Sequence, residues 1–367
     1  MNDVTAFTLP HFSGFVDFVS DFLPLPVLAP APVPAPADGL ADYSPRDAPW
    51  DKHRGQADDV AKIYNLAGWD RYASRMAGCS GLLRFRWMDE GGGVCRLCLC
   101  GCCFCRVRYC PLCQWRRCLM WLARFYHALP KIVGEYPQAR WIFLTLTVRN
   151  CPIGELGATL TLMNAAWHRL VKRPELKPVL GWIRTTEVTR GNDDTAHPHF
   201  HALVMVPPAY FGKSYIKQAR WGELWQSCLK VDYMPIVDVR TIKPRLPKPG
   251  ATPTVTTPAE SITKALEGAV AETLKYSTKP DEMIEHPDWF IELTKQTHKR
   301  RFIATGGALK DVLKVEKETD ADLIGEGEGG EDDGARIAFE WKSEQRRYRR
   351  QPKADTQQQP KENRANS

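Results

Sequence analysis

His197-Pro-His-Phe-His-Ala-Leu-Val-Met-Val206 (HPHFHALVMV) opens on alternating histidines and runs into aliphatic residues. Such a short, apolar, β-branched run reads as a strand. Side chains alternate across a strand, so His197, His199 and His201 share one face while Phe200, Ala202 and Val204 pack the other. Two imidazoles on neighbouring same-face positions can grip one divalent cation and leave it coordination sites with which to polarise a phosphate oxygen. A carboxylate would complete a three-ligand site. Glu187, near the end of the preceding β-rich run and joined to the histidines by the turn-like Arg190 to Ala196, is the best placed.

Working outward, Trp141 to Val148 (WIFLTLTV), Gly181 to Val188 (GWIRTTEV) and Ile236 to Ile242 (IVDVRTI) read as further strands of the same sheet. Apolar residues return every three or four positions in Leu112 to Leu129, Gly157 to Val171, Tyr215 to Leu229 and Pro258 to Tyr276, a helical period. The class is α+β with an antiparallel or mixed sheet. The last helix opens on Thr257-Pro258-Ala259-Glu260, a capping box with proline at the first helical position. Near its end Glu272 and Tyr276 lie four residues apart on one face, and Lys279 follows within about a turn if the helix continues. A tyrosine attacking a phosphodiester forms a phosphotyrosine that conserves the energy of the broken bond. A neighbouring carboxylate can activate water to release it, and lysines offset phosphate charge. A Glu and a Tyr at this spacing are ordinary helix residues when taken alone; their weight comes from the histidines.

Most of the 12 cysteines fall between Cys95 and Cys118. Cys110-Pro-Leu-Cys113 has the spacing that presents two thiolates to a tetrahedral zinc, with Cys105 just before it. A pattern search would pair it with Cys102 and Cys105. Geometry favours Cys79: Leu82 to Met88 and Val94 to Cys100 read as a hairpin turning near Gly92, and folding it there sets Cys79 opposite Cys105. A site of Cys79, Cys105, Cys110 and Cys113 is closed to water and therefore structural. No role follows for Cys95, Cys98, Cys100 and Cys103.

The chain has 367 residues, is 43% hydrophobic and 25% charged, and carries a net charge of +7, a balance that only weakly favours a polyanionic partner. No run approaches the roughly 18 to 20 apolar residues needed to cross a bilayer, and no secretion signal opens the chain, so a cytoplasmic protein with reduced thiols is expected. Four segments are expected: a disordered Pro-rich extension over 1–49, containing Pro24 to Pro36; a helical, cysteine-rich zinc module over 50–135; a domain built on the histidine-bearing sheet over 136–315; and a disordered charged tail over 316–367. Within the tail, Arg346 to Arg350 reads mainly as solvated. Lys243 to Thr256 reads as an inserted proline-rich loop.

Four pieces in order, CRVRYCPLCQWRR (Cys105 to Arg117), FLTLTV (Phe143 to Val148), EVTRGNDDTAHPHFHALVMV (Glu187 to Val206) and ETLKYSTK (Glu272 to Lys279), resemble the rolling-circle replication initiators of small bacterial plasmids, within the HUH endonucleases. The resemblance runs over roughly Cys79 to Leu309. It implies an antiparallel HUH-like sheet with the histidine strand at its centre, Mg2+ or Mn2+ on His199, His201 and Glu187, structural Zn2+ on the cysteines, Tyr276 as nucleophile, and Glu272 as the carboxylate that directs water during termination. The implied activity is site-specific nicking and rejoining of one strand at the plasmid origin through a covalent 5′-phosphotyrosine. Origin DNA, single-stranded or extruded as a hairpin, is the implied partner, with a host helicase and single-strand-binding protein, and the reading is compatible with a homodimer on DNA. A transposase or relaxase would use the same residues on another DNA site. A zinc-dependent regulator without catalysis would leave three same-face histidines unexplained.

Overall fold

The computed structural model describes residues 38–89, 91–92, 95–243, 258–275, 277–312, 318–324 and 336–352, the side chains of 258–263 and 267 excepted. The Pro24 to Pro36 segment, most of the Lys243 to Thr256 insertion, the capping side chains of Thr257 to Glu260, Tyr276 and the chain beyond 352 lie outside the described residues.

In chain order the elements are α1 Leu40–Tyr43, α2 Pro49–Leu66, α3 Asp70–Ala77, β1 Leu82–Asp89, β2 Cys95–Gly101, α4 Pro111–Glu135, β3 Arg140–Thr147, α5 Leu156–Leu170, β4 Gly181–Arg190, β5 Ala196–Val206, α6 Gln218–Leu229, β6 Val237–Ile242, α7 Pro258–Leu274, α8 Pro280–Glu285, α9 Pro287–Gln296, β7 Ile303–Gly307, α10 Asp320–Ile324, β8 Arg336–Lys342 and β9 Arg347–Arg350. The expected α+β class holds. The strands form two antiparallel sheets, of order β6-β3-β5-β4-β7 and β2-β1-β8-β9.

The histidine strand β5 is central in the larger sheet, and its alternation sorts the two faces. Phe200, Ala202 and Val204 join Trp167 of α5 and Trp221 and Trp225 of α6 in one buried cluster. Leu203 and Met205, on the same face as His199 and His201, pack with Phe125 and Leu129 of α4 and with Leu266, Val270 and Leu274 of α7. The helix carrying Glu272 therefore lies along the histidine face, where burial of its apolar stripe fixes its register.

The smaller sheet grows from the expected hairpin. Phe85 pairs with Leu99 and Asp89 with Cys95, so the turn is centred at Gly92, where positive φ at Gly91 and Gly92 suits residues without a Cβ.

Three boundaries differ from expectation. The fold begins before Trp50: Leu40 is fully buried, Gly39 bridges Arg349, and Arg350 N donates to Asp38 O at 2.7 Å. Nor is the stretch beyond Lys317 uniformly a tail, since α10, β8 and β9 fold back onto the body. Phe339 and Tyr348 are fully buried, and the Tyr348 hydroxyl donates to Ser80 O at 2.7 Å. The physical reason is the alternation Ile337, Phe339, Trp341 within RIAFEWK, a half-buried strand between two polar stretches. The basic residues from Arg347 to Arg350 form a strand, not a solvated tail. The buried core also does not part at 135/136: one cluster joins Tyr64 and Tyr109 to Phe290 and Phe200.

Candidate functional site

Glu187 on β4 sits directly opposite His199 on β5, and Thr185 opposite His201. The Glu187 Oε2 lies 3.0 Å from His199 Nε2 and 2.9 Å from His201 Nε2. All three residues are buried, and their candidate ligand atoms lie within 4.8 Å of one another.

The far side of each imidazole is held as well. His199 Nδ1 lies 3.2 Å from the His197 carbonyl and His201 Nδ1 3.2 Å from Thr145 Oγ1, while Phe143 stacks on the His201 ring with centroids 5.5 Å apart. At His199 this geometry carries information about a ligand. A carbonyl accepts only, so Nδ1 must bear the proton; Nε2 then meets the carboxylate oxygen as a second N–H in a charged ring, or as a lone pair that repels it in a neutral one. A positive charge between Nε2 and the carboxylate removes that conflict, and a divalent cation provides it while leaving both Nδ1 hydrogen bonds intact. Two imidazoles and a carboxylate suit Mn2+ by donor type better than Mg2+, which prefers an all-oxygen shell.

The third histidine, His197, stands apart, with Nδ1 2.7 Å from Asn150 Oδ1. Burial lowers the pKa of His197 and of His201, opposed at His201 by the Glu187 carboxylate. Burial pushes the Glu187 carboxyl up, but hydrogen bonds from His199 and His201 and the charge of Lys275 outweigh it and hold it well below the usual carboxylate range.

From the end of α7, Lys275 Nζ bridges two carboxylates, 2.9 Å from Glu187 Oε2 and 2.7 Å from Glu272 Oε1. Glu272 Oε1 is in turn 4.0 Å from His201 Nε2. Ser277 O accepts from Val188 N, the residue after Glu187, at 2.9 Å. The expected Lys279 is displaced: α7 ends at Leu274, and Lys279 is the exposed N-cap of α8. Lys275, three residues after Glu272, is the lysine brought to the carboxylates. The i,i+3 spacing was available in the sequence as its signal.

The cysteine cluster assembles at the base of the hairpin. Cys79 Sγ is 3.6 Å from Cys113 Sγ and 3.8 Å from Cys110 Sγ, and Cys105 Sγ is 3.6 Å from Cys113 Sγ. Four sulfurs about 2.3 Å from a tetrahedral centre lie about 3.8 Å apart, so the cluster has room for one ion. Backbone N–H groups of Cys105 and Val107 point at the sulfurs of Cys79 and Cys105, at 3.4 and 3.5 Å. Hydrogen bonds from Cys105 and its neighbours draw the Cys79 thiol down, whereas burial pushes Cys110 up. Cys102, which a spacing search would have chosen, donates instead to Ser80 Oγ at 2.9 Å, and burial pushes its thiol up to about 12.

The fold and these two clusters define an α+β protein with two candidate metal centres, one buried between central strands and one of four thiols. No described helix is long and apolar enough to cross a membrane. A family model described as Replication protein matches residues 96–349. A Protein rep from Streptococcus pneumoniae serotype 2 (strain D39 / NCTC 7466) is 30% identical over 315 residues, covering 83% of this chain and 92% of that protein. One from Bacillus amyloliquefaciens is 35% identical over 272 residues, 72% and 76% of the two chains, and one from Lactiplantibacillus plantarum 32% identical over 295 residues, 75% and 85%. No solved structure matches the chain. The chain belongs to the replication-protein family, the rolling-circle plasmid replication initiators.

Proposed function

We propose that this protein opens rolling-circle replication by nicking one strand of its plasmid origin, with Tyr276 as nucleophile. The observation that supports the reading best is the buried Glu187–His199–His201 cluster, against which α7 lays Glu272 and Lys275 immediately before Tyr276. In the proposed step the Tyr276 oxygen loses its proton to solvent and bonds to the scissile phosphorus as the P–O3′ bond breaks; the departing 3′ oxygen takes up a proton from solvent, leaving a free 3′ hydroxyl and a 5′-phosphotyrosine. Glu187, His199 and His201 would hold Mg2+ or Mn2+, which would supply positive charge to offset that of the phosphate. Glu272 orients and deprotonates the water that later releases the linkage, in the manner of a general base. Lys275, in place of Lys279, keeps the two carboxylates apart in charge and faces the phosphate.

The four thiolates of Cys79, Cys105, Cys110 and Cys113 hold a structural Zn2+ that ties the hairpin to the start of α4. The sheet and its histidine strand correspond to an HUH nicking domain. A host polymerase would extend the 3′ hydroxyl, and a host helicase and single-strand-binding protein are the expected partners in unwinding and covering the displaced strand.

The test is a denaturing gel of the protein incubated with Mn2+ and a single-stranded oligonucleotide carrying the nick site of its plasmid. A covalent band that needs the metal and is absent in Tyr276→Phe is expected. A band that survives the substitution moves the nucleophile elsewhere, and no band at all favours a DNA-binding regulator.

A further inference from the structure

A cavity of about 980 Å3 opens between the start of α4, on the cysteine side, and the β4–β7 edge of the larger sheet. Basic side chains on its wall, among them Arg106, Arg117, Arg301 and Lys275, outnumber the two acidic ones, Asp311 and Glu318. Lys275 also contacts Glu187, so the cavity reaches the histidine cluster.

Two independent features of the wall call for a ligand. Gln114, next to Cys113, is 6% exposed, and neither its amide oxygen nor its amide nitrogen has a hydrogen-bond partner among the described residues. Thr186 Oγ1, on β4, is likewise buried and without a partner among the described residues. Leaving an amide buried and unpaired is costly, so such a group calls for a partner that enters the cavity, a water or a ligand. The second feature is an anion already seated among the arginines. Both carboxylate oxygens of Glu318 accept from Arg117, at 2.7 and 2.8 Å, and Asp320 pairs with Arg106 at 2.5 Å. A forked guanidinium that takes a carboxylate in this way takes a phosphate by the same geometry.

We propose that this cavity is a binding site for single-stranded DNA flanking the cleaved phosphodiester, in which Arg117 and Arg106 take phosphates from Glu318 and Asp320 and the Gln114 amide reads the edge of one unstacked base. The inference rests on the nicking reading and adds to it a base-selecting residue far in sequence from the histidines. An amide presents a donor and an acceptor side by side, the pairing that distinguishes one base edge from another, whereas the arginines bind every sequence alike. The acidic residues at 318 and 320 act as displaceable stand-ins that weaken binding to stray strands.

The test is fluorescence anisotropy of the zinc-loaded full chain, without added Mg2+ or Mn2+, against labelled oligothymidylate, oligoadenylate and oligocytidylate. The wild type is expected to prefer one of them about tenfold. Gln114→Leu, which keeps the shape and removes the orphaned amide, is expected to bring the three within about twofold while raising Tm and leaving zinc content unchanged. Should Gln114→Leu not fold, Gln114→Asn is expected to weaken the preference. Arg117→Ala is expected to weaken all three equally and to reduce the slope of log K against log salt by about one. Glu318→Gln is expected to tighten all three. A wild type with no preference, a preference unchanged in the Gln114 variant, or a salt slope unmoved by Arg117→Ala overturns the inference. Because no catalytic metal is present, loss of nicking on the covalent gel with a Gln114-dependent preference intact would sink the nicking reading alone. Nicking by a chain whose base preference ignores Gln114 would sink this one alone.

Discussion

Glu187 is the anionic member of its cluster, so replacing it with glutamine isolates the charge while nearly keeping the shape. Its Oε2 lies 3.0 and 2.9 Å from the two imidazole nitrogens, which leaves a cation no room to bind the histidines without meeting this carboxylate. A unit negative charge about 2.1 Å from a dication contributes about 4 kcal/mol even at the dielectric of bulk water, or roughly three decades of affinity. The glutamine carbonyl still offers a neutral oxygen and recovers part of this, so Glu187→Gln is expected to weaken Mn2+ binding about 100- to 1,000-fold. Lys275 keeps Glu272 as its partner at 2.7 Å, so the end of α7 stays in place. Isothermal titration calorimetry with Mn2+ on the zinc-loaded protein measures the change directly. Tyr276→Phe serves as the control that binds metal normally. A loss smaller than about tenfold in Glu187→Gln would refute the assignment of this carboxylate as a ligand.

Three other outcomes follow from the same reasoning. Cys113→Ser should remove one equivalent of zinc and with it most of the stability of the hairpin, because a structural zinc is worth about 10–16 kcal/mol against a typical total of about 5–15; metal analysis and a thermal melt check both. Burial lowers the pKa of His53 from 6.5 to about 4 beneath Trp115, whose ring stacks on it at 4.8 Å. The neutral ring is the one the fold accepts, so full stability holds above pH 6.5 and is lost as pH falls toward 4, by roughly 2 kcal/mol at pH 5. In urea midpoints measured across this window, His53→Phe should lose that part of the slope, and an unchanged slope would count against it. Tyr348→Ala should cost about 3–5 kcal/mol in urea unfolding, since this fully buried ring packs on Trp341 at 5.1 Å; a cost below about 1 kcal/mol would return β9 to the status of a tail.

The larger sheet could be read from residues 141–242 because its strands are buried on at least one face, and burial writes itself into sequence as alternation or as an apolar run. β7 escaped because Ile303–Gly307 is a short edge strand with two glycines, carrying little side-chain signal; it is pinned by backbone pairing of Gly306 with Trp182 and Gly307 with Gly181. β8 and β9 escaped for a different reason. Average polarity over a long stretch hid the seven-residue alternation of RIAFEWK, although its apolar positions pair Phe339 with Leu83 and Ile337 with Phe85 on β1.

At the histidine cluster, the shared face of His199 and His201 followed from strand period, and the nearness of Glu187 from the turn that joins its strand to theirs. The surroundings did not follow. Thr145 comes from β3, Lys275 from a helix whose end had been placed two residues too late, and Asn150 from the loop after β3; sequence spacing says nothing of such meetings. Lys275 shows what this means for function. Its ammonium sits on the same Glu187 oxygen that faces both imidazoles, so it partly neutralises that buried carboxylate. A cation arriving at that oxygen must compete with the lysine, and the residue turned aside by that competition immediately precedes Tyr276. The charge that offsets Glu187 is thus attached to the segment that leads into the proposed nucleophile.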